Sequence, residues 1–134
     1  PSSTEIKSGF VLERHLEEFL ERNWESTDLG KHYDLIERQY ATEVGPIDLL
    51  AVKKDRKEFM VIELKKGRTS DLAVGQIQRY MGWVRKHKAE SNQTVIGKII
   101  GLQEDIKLRY AISENENVEF LRYEINFRLF NNSS

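Results

Sequence analysis

Apolar residues recur at helical spacing at Leu12, Leu16, Phe19 and Leu20, and this pattern predicts a first helix from about Ser8 to Trp24. A polar loop follows. Tyr33 to Thr42 then reads as a strand, and Gly45-Pro46 as a turn. Ile47 to Val52 is a short apolar strand. The turn-like run Lys53-Lys54-Asp55-Arg56-Lys57 separates it from a second strand, Phe59 to Leu64, so the two are expected to form a hairpin. Ser70 or Asp71 can cap a long helix whose apolar positions are Ala73, Ile77, Tyr80, Met81 and Val84. Thr94 to Ile100 reads as a strand and Glu104 to Ser113 as a helix. Val118 to Tyr123 and Ile125 to Phe130 read as closing strands. The order α-β-β-β-α-β-α-β-β predicts an α/β layered domain with a mixed central sheet flanked by helices.

Composition narrows the class. The chain has 134 residues, of which 39% are hydrophobic and 32% charged, enough for one modest core and too apolar for a disordered segment. The expectation is a single domain over residues 1–134, with 1–8 flexible; with no Met at its start, it reads as a piece of a longer protein. No apolar run approaches the roughly 20 residues of a membrane helix, and the polar start carries no signal-peptide pattern. Cys is absent, which excludes disulfides and thiolate metal sites and fits a reducing compartment; a cytoplasmic location is expected. His15, His32 and His87 share no metal-ligand spacing. Net charge is −1, but it is unevenly spread. Lys53 to Lys88 holds 11 Lys and Arg against 4 Asp and Glu, a local +7, and the remaining residues carry −8. Such a positive middle suits a polyanion, although exposed helices and hairpins are often Lys-rich for solubility alone.

Three charged residues fall where core-facing side chains are expected. Along Phe59 to Lys65 one side of the strand reads Phe59, Val61, Glu63, Lys65 and the other Met60, Ile62, Leu64. Both sides are apolar, as in a strand covered on both faces. Glu63 therefore lies on a buried side, where a charge is costly unless it is paired or binds a metal. Asp48 shares its side with Leu50 and Val52, and hairpin pairing brings it towards Glu63. Two such carboxylates raise each other's pKa, and a divalent cation relieves the repulsion. Oxygen ligands alone suit Mg²⁺ or Mn²⁺. Lys65 could then orient an attacking water or stabilise charge on a phosphate. The plainer alternative is a Glu63–Lys65 pair at a strand end, with Asp48 capping a turn.

The first helix offers a further acid. With Leu12 at 0°, Leu16, Leu20 and Trp24 fall at roughly 40°, 80° and 120°. Glu13 falls near roughly 100°, inside that arc, and Glu17 near roughly 140°, on its edge. Glu13 is the first choice for an inward-facing acid and Glu17 the second; a flanking Glu reaching water is the alternative. Gln76 and Tyr80 sit one turn apart on the long helix and can line the same cleft, or simply form its edge. Arg38 and Arg79 are candidate phosphate contacts or solvated charges. Tyr40 and Trp83 can stack on bases or pack in the core.

The ordered set Gly45-Pro46-Ile47-Asp48-Leu49-Leu50, Val61-Ile62-Glu63-Leu64-Lys65-Lys66-Gly67 and Ala73-Val74-Gly75-Gln76-Ile77-Gln78-Arg79-Tyr80-Met81 resembles the PD-(D/E)XK nuclease superfamily. Within it the likeness is to the catalytic domain of NucS-type, or EndoMS-type, endonucleases. Glu13-x-x-Leu16-x-x-Phe19-Leu20-x-x-Asn23 resembles that family's first helix, and Leu108-Arg109-Tyr110-Ala111 and the closing strands are also similar, so the likeness spans roughly residues 10–130. Pro46 stands two residues before Asp48 with Ile47 between them, a form the NucS-type pattern shares. The resemblance implies a restriction-endonuclease-like three-layer fold and Mg²⁺- or Mn²⁺-dependent hydrolysis of DNA phosphodiester bonds by an activated water. It implies Asp48, Glu63 and the Leu64 backbone carbonyl as metal ligands and Lys65 as the catalytic lysine. Glu13 would be the helix-borne acid, and Gln76 and Tyr80 would orient the site or contact DNA. NucS-type enzymes also carry an N-terminal DNA-binding and dimerisation domain, for which this chain has no room; a homodimer or additional domains are therefore expected of a full-length protein. Exonuclease, resolvase and restriction-type activities sit on the same fold. A non-catalytic nucleic-acid-binding or assembly module is the alternative from another class.

Overall fold

A computed structural model describes residues 2–5, 13–124 and 126–131. Its centre is a five-stranded sheet in the order β2-β3-β4-β6-β8. β2 (Tyr33–Tyr40), β3 (Ile47–Lys53) and β4 (Glu58–Leu64) form an antiparallel meander, with Leu49 opposite Ile62 and Leu50 opposite Val61. β6 (Thr94–Gly101) and β8 (Val118–Arg122) continue the sheet in parallel. Parallel neighbours need crossovers. These are α3 (Leu72–His87), between β4 and β6, and α4 (Ile106–Ser113), between β6 and β8.

The period-2 alternation along β3 and β4 sorts their side chains into two cores. Leu50, Val52, Phe59 and Val61 pack with Ile77, Met81 and Val84 of α3 and Leu108 of α4. Leu49, Ala51, Met60, Ile62 and Leu64 pack on the other face with Leu16 of α1 (Glu13–Arg22) and with Trp24. The result is the expected three layers, with a mixed sheet between helices. α3 lies close on β6: a Cβ at Gly97 would stand 2.7 Å from Met81 Sδ.

The structure also departs from the sequence pattern. α1 ends at Arg22, and Trp24–Ser26 tightens into a 3₁₀ turn whose indole donates to the Tyr33 carbonyl at 2.9 Å. Residues 6–12, including the expected start of this helix, lie outside the described residues. The polar loop holds a short helix, α2 (Asp28–His32), capped by Thr27 Oγ1, which accepts from Gly30 N at 3.1 Å. Asp71 precedes α3 but makes no side-chain cap bond, whereas Asp105 caps α4 by accepting from Leu108 N at 2.8 Å. Glu104 lies not in that helix but in a two-residue ribbon of β5 (Arg68–Thr69) and β7 (Gln103–Glu104). The last expected strand, β9 (Asn126–Leu129), joins no central strand; it pairs antiparallel with β1 (Ser2–Glu5). Ile125 lies outside the described residues. Among the described residues no helix is long and apolar enough to cross a membrane.

Candidate active site

Asp48 and Glu63 meet one register step beyond the Leu49–Ile62 pair, where β3 and β4 end their ladder. Side chains replace backbone partners there. Asp48 Oδ2 accepts from Leu64 N at 2.8 Å, and Asp48 N donates to Glu63 Oε1 at 3.4 Å. Glu63 is only 6% exposed. Burial, then the Asp48 carboxylate, push its pKa up to about 8. Burial also raises that of Asp48, and the Glu17 carboxylate adds to it. Glu63 thus sits where Asp48 disfavours its ionisation. Two acids this close raise each other's pKa. Leu64, expected to lend its carbonyl, turns its side chain into the α1-side core.

α3 closes the other flank. Lys65 follows β4 directly, and its Nζ donates to Gln76 Oε1 at 2.7 Å. The two residues border a cavity of about 220 Å³ shared with Lys66, Arg68 and Ser70. Tyr80, one turn beyond Gln76, stands over Gly45: a Cβ at that glycine would lie 2.9 Å from the Tyr80 hydroxyl. Burial raises the Tyr80 pKa, and Glu63 and Asp48 add to the shift. Arg79, exposed on the same helix, opposes that shift.

α1 supplies a buried acid in Glu17, the second of the two candidates. Glu17 is 4% exposed. Its Oε1 accepts from Arg38 Nε at 2.9 Å and from Gln39 Nε2 at 2.8 Å. Gln39 Nε2 also donates to Asp48 Oδ1 at 3.3 Å. Glu17 is thus tied to the carboxylate pair through one amide. Glu13 opens α1, and its side chain lies outside the described residues. Phe19, counted with the apolar positions, is 61% exposed, so the buried arc is turned towards Glu17. Arg38 also meets Glu21 at 3.1 Å and Glu18 at 3.7 Å, so it anchors α1 rather than standing free for a phosphate. Tyr40 and Trp83 pack at the core edge, ring centres 6.1 Å apart. Sequence reasoning missed Gln39, since nothing in strand alternation marks a bridging amide.

Among the described residues, no three His, Cys, Asp or Glu side chains gather closely enough to ligate one ion. The donor set is a pair. Mg²⁺ is commonly held by one or two carboxylates, with waters and substrate phosphate completing the shell, so a pair is compatible with it.

A family model described as the Endonuclease NucS C-terminal domain matches residues 12–132. The chain belongs to this family. Endonuclease NucS of Corynebacterium aurimucosum is 38% identical over 76 residues, which cover 57% of the chain and 30% of that relative. Endonuclease NucS of Rhodococcus jostii is 37% identical over 76 residues, covering 57% and 31%. The matched stretch therefore spans about a third of these curated relatives. Among solved structures, a repair endonuclease from Pyrococcus abyssi superposes with a TM-score of 0.69 at 23% identity, over 84% of the chain and 47% of that protein. An EndoMS–dsDNA2 complex gives a TM-score of 0.67 at 18% identity, over 89% and 46%. These likenesses show that the chain has the fold of those proteins' matched domain.

Proposed function

We propose that the chain is the catalytic domain of a DNA endonuclease that hydrolyses phosphodiester bonds with Mg²⁺ or Mn²⁺ held at Asp48 and Glu63. The observation that carries this reading is the carboxyl pair itself. Two acids on core-facing sides of adjacent strands, one of them 6% exposed, are held together at an energetic cost that a bound cation would offset. The curated relatives are named endonucleases, and one structural neighbour is an EndoMS–dsDNA2 complex, which supports DNA as the partner. The ion would polarise the phosphate and lower the pKa of the attacking water. Asp48 and Glu63 would hold it, with the Leu64 carbonyl beside them. Lys65, kept at the mouth by Gln76, would stabilise negative charge as it builds on the phosphate. Tyr80 would line the wall against Gly45 and orient the strand.

The test is cleavage of labelled duplex, mismatched, branched and single-stranded DNA with Mg²⁺ or Mn²⁺, and with chelator as the control. Wild type cuts at least one of these only with metal. Asp48→Ala and Glu63→Ala lose cleavage. Lys65→Ala loses turnover by roughly a hundredfold or more yet still binds Mn²⁺ in calorimetry. Undiminished cleavage by Asp48→Ala overturns the site. Binding of DNA and Mn²⁺ by wild type without any cutting points instead to a binding module.

A further inference from the structure

Gln39 departs from the geometry of the strand that carries it. It lies near the end of β2 with φ at 53°, in the left-handed region that residues other than glycine rarely adopt. Its neighbours keep their places: Arg38 pairs with Leu49 and Tyr40 with Ile47. The pairing around Gln39 is unbroken, although β2 also shifts register between Leu35 and Glu37. Packing does not account for the distortion at Gln39, because the residue is exposed and belongs to neither core. What the distortion accompanies is a pair of hydrogen bonds. The one Nε2 donates to Glu17 Oε1 at 2.8 Å and to Asp48 Oδ1 at 3.3 Å, using both of its hydrogens. Ionised carboxylates only accept, so an amide nitrogen suits the gap between two acids, and a carboxylate there would be repelled.

The bridge has a fixed end. Glu17 is buried and held by Arg38 Nε at 2.9 Å. Its other end is the aspartate of the pair, whose second oxygen is taken by Leu64 N at 2.8 Å. Asp48 is therefore gripped from both sides, by a strand amide and by Gln39. Groups that orient a ligating carboxylate in this way typically change metal affinity by about 10- to 100-fold when removed. Local strain that packing does not explain is also concentrated at functional sites.

We propose that Gln39 is a positioning residue, which fixes Asp48 for a divalent cation by tying it to the buried Glu17–Arg38 pair. The inference rests on the reading of Asp48 and Glu63 as a cation site. Gln39→Gly tests it, because glycine accepts the left-handed backbone without strain while removing the amide. Mn²⁺ affinity is measured by calorimetry, beside the melting temperature of the metal-free protein. The expected result is Mn²⁺ binding weakened about 10-fold or more. A purely structural role would lower the melting temperature and leave the affinity alone. Wild-type affinity in Gln39→Gly overturns the proposal. Should glycine unfold the strand end, Gln39→Asn serves the same comparison, since Asn also accepts this backbone but falls one methylene short of both acids. Failure of wild type itself to bind Mn²⁺, with or without a DNA duplex, overturns the cation-site reading and this proposal with it, a result separable from equal binding by wild type and variant.

Discussion

At the scale of single residues, Glu63 carries a consequence that needs no metal to observe. Its pKa rises from an ordinary value of 4.5 to about 8 in the folded protein, through burial and then Asp48. A raised carboxyl pKa means that folding favours the protonated form. The associated stability is present below about pH 4.5 and is lost as pH climbs through about 8. Glu63→Gln keeps the shape and the hydrogen-bond donor of the protonated acid but never ionises. The metal-free variant should therefore match wild type near pH 4.5 and exceed it at pH 8, by on the order of a few kcal/mol in urea unfolding. Equal stability at both pH values would show that the pair is not held together as described. Both acids were legible in the sequence, because strand alternation alone puts Asp48 beside Leu50 and Glu63 beside Val61. Glu17 was half legible: the helical wheel placed it on the edge of the apolar arc, and the pull of Arg38 and Gln39 decides the rest. Gln39 was not legible, since a left-handed glutamine is set by contacts with α1 and β3 and not by its neighbours in sequence.

At the scale of elements, the β2–β3 turn and α3 are fitted to one another. Gly45 has φ at 115°, and a Cβ there would meet the Tyr80 hydroxyl at 2.9 Å. Gly45→Ala therefore has two costs, backbone strain and a clash with the helix that carries Gln76. The expected loss is about 1–3 kcal/mol, read as a lowered melting temperature. Tyr80→Phe removes the hydroxyl and should recover the clash part only, so the double variant should lie between Gly45→Ala and wild type. Full recovery would mean that the backbone of residue 45 carries no strain, and no recovery that the two elements do not touch. The Gly-Pro pair marked the turn only nearby, since it is centred on Glu43-Val44 and closed by Gly45 N donating to Thr42 O at 3.3 Å. The hairpin, the long helix and the parallel strand after it were visible because each has a long periodic run or a strong breaker. α2, β5 and β7 were invisible for the opposite reason. Segments of two to five residues are too short for periodicity; Thr27 caps one, and the other two form only by pairing with each other across about 35 residues of chain.

At the scale of the whole molecule, the basic middle of the sequence divides in two. The strands β3 and β4 carry Asp48 and Glu63 at one end and the Lys53–Lys57 turn at the other. Seven strand residues separate them by roughly 20 Å. At the far end Lys54 and Arg56 are each 2.9 Å from Asp34, so their charge is partly spent within the protein. Arg68, by contrast, is exposed and borders the cavity beside Lys65 and Gln76. A local charge of +7 is thus a poor guide to where a polyanion lies, because the count ignores which end of a hairpin each cation occupies. If DNA crosses the carboxyl pair, phosphates reach Arg68 and not the distant turn. Duplex binding without cleavage, followed by fluorescence anisotropy in chelator at increasing salt, separates the two ends. Arg68→Ala should weaken binding and reduce the slope of log affinity against log salt by about 1, as one phosphate contact is lost. Lys54→Ala with Arg56→Ala, although it removes twice the charge, should leave both affinity and slope close to wild type. The opposite ranking would place the DNA across the hairpin turn, roughly 20 Å from Asp48, and would detach the binding surface from the carboxyl pair.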